Sequence, residues 1–156
     1  MVDWILDPHA RELATKLDGL PLALATAGAY LNQVSTSLAD YLGHYNNSWL
    51  KLQETSPVLP SYEDRTLYST WDISYKHINA QNESAGKLLQ LWAYFDNQDL
   101  WYTLLAAGSE NSPEWFSSMI SDELSFNGAI RLLCNLALIE SHGVSGGYSM
   151  HGCVHA

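Results

Sequence analysis

His151, Cys153 and His155 alternate near the C-terminus. On an extended strand they would share one face, and all three residue types ligate Zn²⁺, with His142 as a conceivable fourth. The spacing matches no zinc signature, so no metal site is assigned. The plainer reading is that Met150-His151-Gly152 closes a strand. There an imidazole can donate one N–H to an oxyanion such as a phosphate. Asp96, Asp99, Glu110 and Glu114 could pose as acid/base pairs, but carboxylates at helix caps and first turns are structural far more often. No Ser-His-Asp order, Cys-His context or HExxH occurs, so no catalytic residue is assigned. No GxxxxGKS/T loop is present either. The sequence offers no cradle of the usual kind for β- and γ-phosphates and no Mg²⁺ ligand. ATP hydrolysis by this chain alone is not expected.

The other stretch that could meet a ligand is Gly19-Leu20-Pro21-Leu22-Ala23. Gly19 suits the position just past a helix end, and Pro21 suits the first position of the next helix, where its missing N–H costs nothing. The helix that follows, from Pro21 to about Gln33, is small-residue-rich and apolar nearly all round, which predicts burial. Taken alone, these five common residues describe a helix–helix junction.

The elements around these positions read as mainly helical. A helix over residues 3–17 has Asp7 as its cap and Pro8 at its first position. Ser37 caps a third helix through Gln53, with Leu38, Tyr41, Tyr45, Trp49 and Leu52 at helical spacing. Residues 54–66 hold Pro57 and Pro60 and show no periodicity, so a subdomain junction is placed there. A second helical block starts at Leu67, with Leu67, Trp71, Tyr75 and Ile78 on one stripe. Asn82 caps a helix through Phe95, and Asp99 caps one over residues 100–107 that Gly108 stops. Pro113 to Met119 is a short helical turn. Ser125 or Phe126 opens a helix to Leu138. The last part changes period: residues 137–141 and 148–151 read as strands around a turn over residues 143–147, a β-hairpin. Helices followed by a two-stranded hairpin is the order of a winged helix. The expected fold is therefore mainly α, a small helical bundle followed by a winged-helix domain ending in a short hairpin.

Charge narrows the function classes. Seven basic residues face 17 acidic ones, a net charge of −10, which opposes binding to nucleic-acid phosphates. The six tryptophans lack interleaved Lys or Arg and read as core and interface anchors rather than stacking platforms. Charged residues make up only 15% of the chain, below the usual quarter. Part of the surface then either faces a neighbour or is simply rich in Ser, Asn and Gln. Cys134 and Cys153 are too few for a disulfide scaffold and suit a reducing cytosol. No apolar run reaches transmembrane length, no secretory signal pattern opens the chain, and a cytoplasmic location is expected.

In chain order, a Gly-Leu-Pro-Leu-Ala break, a helical part, a Pro-containing linker, a winged-helix pattern and a terminal Met150-His151-Gly152 resemble the C-terminal half of an NB-ARC (STAND-class) nucleotide-switch module. Leu67-Tyr68-Ser69-Thr70-Trp71-Asp72-Ile73-Ser74, the run from Leu88 to Asp96 and that from Gly147 to His155 look like fungal NLR-type proteins. The resemblance implies a helical (ARC1-like) subdomain over residues 1–56, a linker over 57–66 and a winged-helix (ARC2-like) subdomain over 67–156. It implies nucleotide contacts at Gly19, Leu20, Pro21 and His151. Pro21 would pack on adenine, and His151 would contact the β-phosphate of ADP. Gly152 stands where the family has Asp. ADP or ATP would be bound by a full-length protein, weakly or not at all by this segment. An upstream P-loop domain and a downstream repeat domain in the same chain are implied partners, with homo-oligomerisation on activation. The role implied is regulatory: the segment closes over ADP at rest and signals in innate immunity, heterokaryon incompatibility or programmed cell death. Two rival readings remain. One is a transcriptional winged helix, whose recognition helix over residues 126–138 would carry only Arg131 as a basic residue. The other is an architectural helical spacer.

Overall fold

Local capping chemistry sets most of the helix boundaries. The computed structural model describes residues 7–55, 61–98, 100–143 and 146–155. In it the Asp7 carboxylate accepts the His9 N–H at 2.8 Å, and α1 runs Pro8–Lys16. α2 runs Pro21–Gln33 with Pro21 at its first position. Ser37 opens α3 (Leu38–Thr55): its hydroxyl accepts the Asp40 N–H at 3.1 Å and donates to the Asp40 carboxylate at 2.6 Å. α4 (Tyr62–Gln81) opens in the same way, with Ser61 and Asp64 in the two roles. Residues 62–66, expected to lie in an aperiodic joint, are therefore helical. The Ser-x-x-Asp cap overrides the neighbouring prolines, and residues 56–60 lie outside the described residues.

The chain divides into two compact units, Met1–Ser74 and Tyr75–Ala156, with the division falling inside α4. In the first unit Leu13, Leu17, Ala23, Ala27, Tyr41 and Tyr45 form the centre of the core. The Tyr30 and Tyr41 rings meet at 5.3 Å and Trp49 meets Tyr62 at 5.0 Å. Ser48, nearly fully buried, donates a hydrogen bond to the Asp72 carboxylate. The expectation that α2 is buried all round is corrected here. Ala23, Thr26, Ala27 and Tyr30 are buried, but Pro21, Leu24, Ala25 and Gly28 are exposed. Its neighbours α1 and α3 cover one side and leave an apolar groove lined by Ala10, Leu13, Ala14, Leu24 and Leu31.

In the second unit Asn82 accepts the Ala85 N–H at 3.0 Å and opens α5 (Glu83–Trp92). α5 stops short of Phe95 because Ala93, Tyr94 and Phe95 donate to carbonyls three residues back. This tightening turns the Tyr94 and Phe95 side chains outward. α6 spans Tyr102–Ala107 and ends at Gly108. It starts after Leu100, which is not helical but bridges to the hairpin. Asp99, expected as the cap, lies outside the described residues. α7 runs Glu114–Ser121. α8 runs Glu123–Asn135, opening earlier than expected because Asp122 accepts the Leu124 and Ser125 N–H groups, each at 3.1 Å. A hydrogen bond from the Ser125 hydroxyl, followed by these backbone bonds, holds the Asp122 carboxyl below its usual range.

α8 ends where Ala137 adopts a left-handed φ of 55°. The Leu138 N–H reaches back to the Leu133 carbonyl at 3.2 Å, the bond pattern that commonly ends a helix. The antiparallel hairpin follows as β1 (Ile139–His142) and β2 (Gly147–Met150), with Ile139 opposite Met150. Phe126 sits at the centre of this core, its ring 5.1 Å from Tyr102 and 6.2 Å from Tyr148. The architecture is mainly helical with a C-terminal two-stranded hairpin, as the periodicities predict. Among the described residues no helix is long and apolar enough to cross a membrane.

Candidate functional site

The junction between α1 and α2 is built by the backbone. Asp18 and Gly19 both lie in the left-handed region, with φ of 51° and 66°. A side chain at position 19 would meet nothing within 4 Å, so conformation rather than space calls for glycine there. The N–H groups of Leu17, Asp18, Gly19 and Leu20 all return to carbonyls of residues 13–17 at 2.9–3.3 Å. Two tyrosines from other helices fix the same point. The hydroxyls of Tyr45 and Tyr62 donate to the Lys16 carbonyl at 3.3 and 3.0 Å. The end of α1 is thereby tied to α3 and α4.

Leu20 then turns extended (φ −62°, ψ 117°) and stands at the N-cap of α2 without a side-chain hydrogen bond. Helix starts are usually capped by Ser, Thr, Asp or Asn. A leucine leaves the first-turn N–H groups without that acceptor, at the positive end of the helix dipole. Pro21 presents its ring to solvent beside them. The arrangement offers an apolar surface and backbone donors side by side.

His151 sits at the end of β2 and is exposed. Its position is set from two sides. The preceding Met150 is buried and donates its N–H to the Asn97 carbonyl at 2.7 Å. The His151 carbonyl accepts the Val154 N–H at 2.8 Å, which starts the helical turn α9 (Gly152–His155). That turn corrects the strand alternation expected for His151, Cys153 and His155. The chain leaves extended geometry at Gly152, so the three residues do not line one strand face. The Cys153 and His155 side chains lie outside what the structure describes. His142 instead makes a 2.8 Å hydrogen bond to Ser149 Oγ across the hairpin. Among the described residues, no group of three or more His, Cys, Asp or Glu side chains is placed to hold a metal ion.

A β-carbon at position 152 would meet only Asn97 Nδ2, at 3.7 Å. This is ordinary contact, so space does not require glycine at that position. Gly147 is different: a β-carbon there would lie 2.6 Å from Trp101 Nε1, so the indole occupies the space of a side chain. Of the predicted contact residues, Gly19, Leu20 and Pro21 form one continuous structure in the first unit, and His151 belongs to the second.

Sequence reasoning missed the strand pairing of Leu100. Its N–H and carbonyl bond with the Tyr148 carbonyl and N–H at 3.0 and 2.9 Å. A single bridging residue leaves no period-two pattern to read.

No protein-family model matches the chain, and no solved structure matches it. The chain is 32% identical over 95 residues to a protein of Hyaloscypha variabilis named as a nucleotide-binding leucine-rich repeat (NLR)-like protein; the match covers 55% of this chain and 10% of that relative. The chain thus spans about a tenth of the length of the curated relative it matches. The similarity supports a relationship to NLR-like proteins.

Proposed function

We propose that this chain is the regulatory part of an ADP/ATP-dependent signalling switch of the NLR type. The observation that carries the reading is the junction at Gly19–Pro21: an exposed proline opening a helix whose first turn has no side-chain cap. Pro21 would present an apolar surface to adenine, and the helix start would offer N–H donors toward an anionic ligand. His151 would donate to the β-phosphate. The residues present fit a nucleotide in kind: an apolar contact, backbone donors and one imidazole.

A winged-helix reading of the second unit is supported by its order: α5, the Leu100 bridge, α6 and α7, α8, then β1 and β2. Leu100 supplies a third strand position beside β2, as a winged helix has. The DNA-binding alternative gains nothing from this, because α8 carries Arg131 as its one basic residue and Glu123 in its first turn. The segment would not hydrolyse ATP by itself. Its partners would be a P-loop domain upstream and a repeat domain downstream in a longer chain, in the cytoplasm.

The two contacts should behave differently in that longer protein. His151 is proposed to sense the ADP-bound state, so His151→Ala should cost ADP one charge-assisted hydrogen bond, about 1.5–3 kcal/mol, with a smaller loss for ATP. Pro21→Ala should weaken both nucleotides alike. Measured ADP and ATP affinities, together with melting temperatures, test this. Equal losses for both nucleotides in His151→Ala, or none with melting unchanged, would leave His151 without a phosphate-sensing role.

A further inference from the structure

The second unit carries an apolar groove that its own elements leave open. Leu91 at the end of α5, Phe95 beyond it, Leu104 and Leu105 of α6, and Trp115 and Phe116 of α7 line it. Leu104 is 46% exposed and Phe95 39%. The groove exists because α5 tightens and ends at Trp92 while α6 is only six residues long. Contiguous exposed apolar surface of this kind marks an interaction site more often than chance.

The rim says what would cover it. Asp96 follows Phe95, and Glu110 and Glu114 flank the Ser112–Pro113 edge; all three are exposed. Lys87 is a cation beside the groove, its ammonium 5.9 Å from the Trp115 ring. It is already paired with Glu83 at 2.6 Å. An apolar floor with an acidic rim is complementary to an amphipathic helix whose apolar stripe is bordered by Lys or Arg. A second copy of this chain would bring like charge, since the whole chain stands at −10.

We propose that this groove docks a cationic amphipathic helix from a partner protein. The test uses the 156-residue chain and two synthetic helices that share one leucine stripe, one flanked by lysines and the other by glutamates. Binding is measured by calorimetry and by the shift of the Trp115 indole N–H signal. The lysine-flanked helix should bind and the glutamate-flanked one should not. Leu104→Glu, at a half-exposed position, should weaken binding more than about tenfold. The double reversal Glu110→Lys/Glu114→Lys should weaken it about tenfold, the sum of two modest surface pairs. The double reversal Glu12→Lys/Glu54→Lys, which changes the net charge equally from within the first unit, should change it less than about twofold. Equal losses from the two double reversals would show general attraction to an acidic protein and overturn the proposal. Equal binding of the two helices would do the same. So would self-association of the wild-type chain that Leu104→Glu abolishes, since a second copy would then be the occupant.

Discussion

The two units solve the same problem of burial with different materials. Every buried polar side chain among the described residues lies in the first unit: Thr26, Ser48, Thr66, Ser69, Thr70 and Ser74. Four of them donate to carbonyls of their own helix, Thr26 to Leu22, Thr66 to Tyr62, Ser69 to Arg65 and Thr70 to Leu67, at 2.7–2.9 Å. Its buried aromatic side chains are Tyr30, Tyr41, Tyr45 and Trp71, packed with Leu13, Leu17, Leu38 and Leu42. The second unit buries Leu88, Trp92, Leu100, Phe126, Leu133, Leu136 and Leu138 with no buried Ser or Thr among them. A dry core resists opening through area removed from water. A hydroxyl-rich core gains less per residue, because each hydrogen bond made replaces one with water. The contrast predicts that the unit carrying the Gly19–Pro21 junction opens more easily than the unit carrying His151.

Three changes would break or sharpen that contrast. The largest effect is expected from Phe126→Ala, which empties the centre of the dry core between Tyr102 and Tyr148. It should cost about 3–5 kcal/mol in denaturant unfolding. A loss below about 1 kcal/mol would mean that the second unit is not packed around this ring.

Alkaline pH should act on the other half. Burial pushes the hydroxyls of Tyr41, Tyr45 and Tyr30 above their ordinary value of 10.0, and Tyr41 feels its two tyrosine neighbours in addition. The neutral form is the folded one, so this stability is fully present below pH 10.0. It is lost as pH rises from there through the raised folded values. Hydrogen exchange along α3, measured against the rate of an unstructured peptide at the same pH, should accelerate in that window. Tyrosines of the first unit titrating at 10.0 with α3 still protected would contradict the account.

The smallest effect is expected from Tyr41→Phe. The Tyr41 hydroxyl is buried and has no hydrogen-bond partner among the described residues. Removing it should leave stability unchanged or raise it by up to about 1 kcal/mol. A clear loss in thermal melting would show that the hydroxyl has an acceptor after all.

What the sequence made legible follows how local each signal is. The Gly19–Pro21 junction was readable because a left-handed glycine and a first-position proline act within three residues. The Asp7, Ser37 and Asn82 caps were readable for the same reason. The opening of α4 had an equally local signal in Ser61 and Asp64, but Pro57 and Pro60 beside it read as a joint. The end of α8 was hidden because Ala137 holds a conformation that usually advertises itself with glycine. The exposed side of α2 depends on which helices happen to cover it, which its composition cannot tell. The Leu100–Tyr148 bridge joins residues far apart in sequence and has no signature of its own. At the hairpin end, alternation of His151, Cys153 and His155 suggested a strand, while the backbone turns helical at Gly152.

The central claim is that the His151 segment senses which nucleotide is bound. Hydrogen exchange of the backbone amides from Met150 to Val154, in a longer protein carrying the P-loop domain, tests it most directly. With ADP these amides should be protected, and with ATP or a non-hydrolysable analogue they should exchange faster, while the Phe126 core stays equally protected in both. Identical exchange with the two nucleotides at saturating concentration would contradict the account.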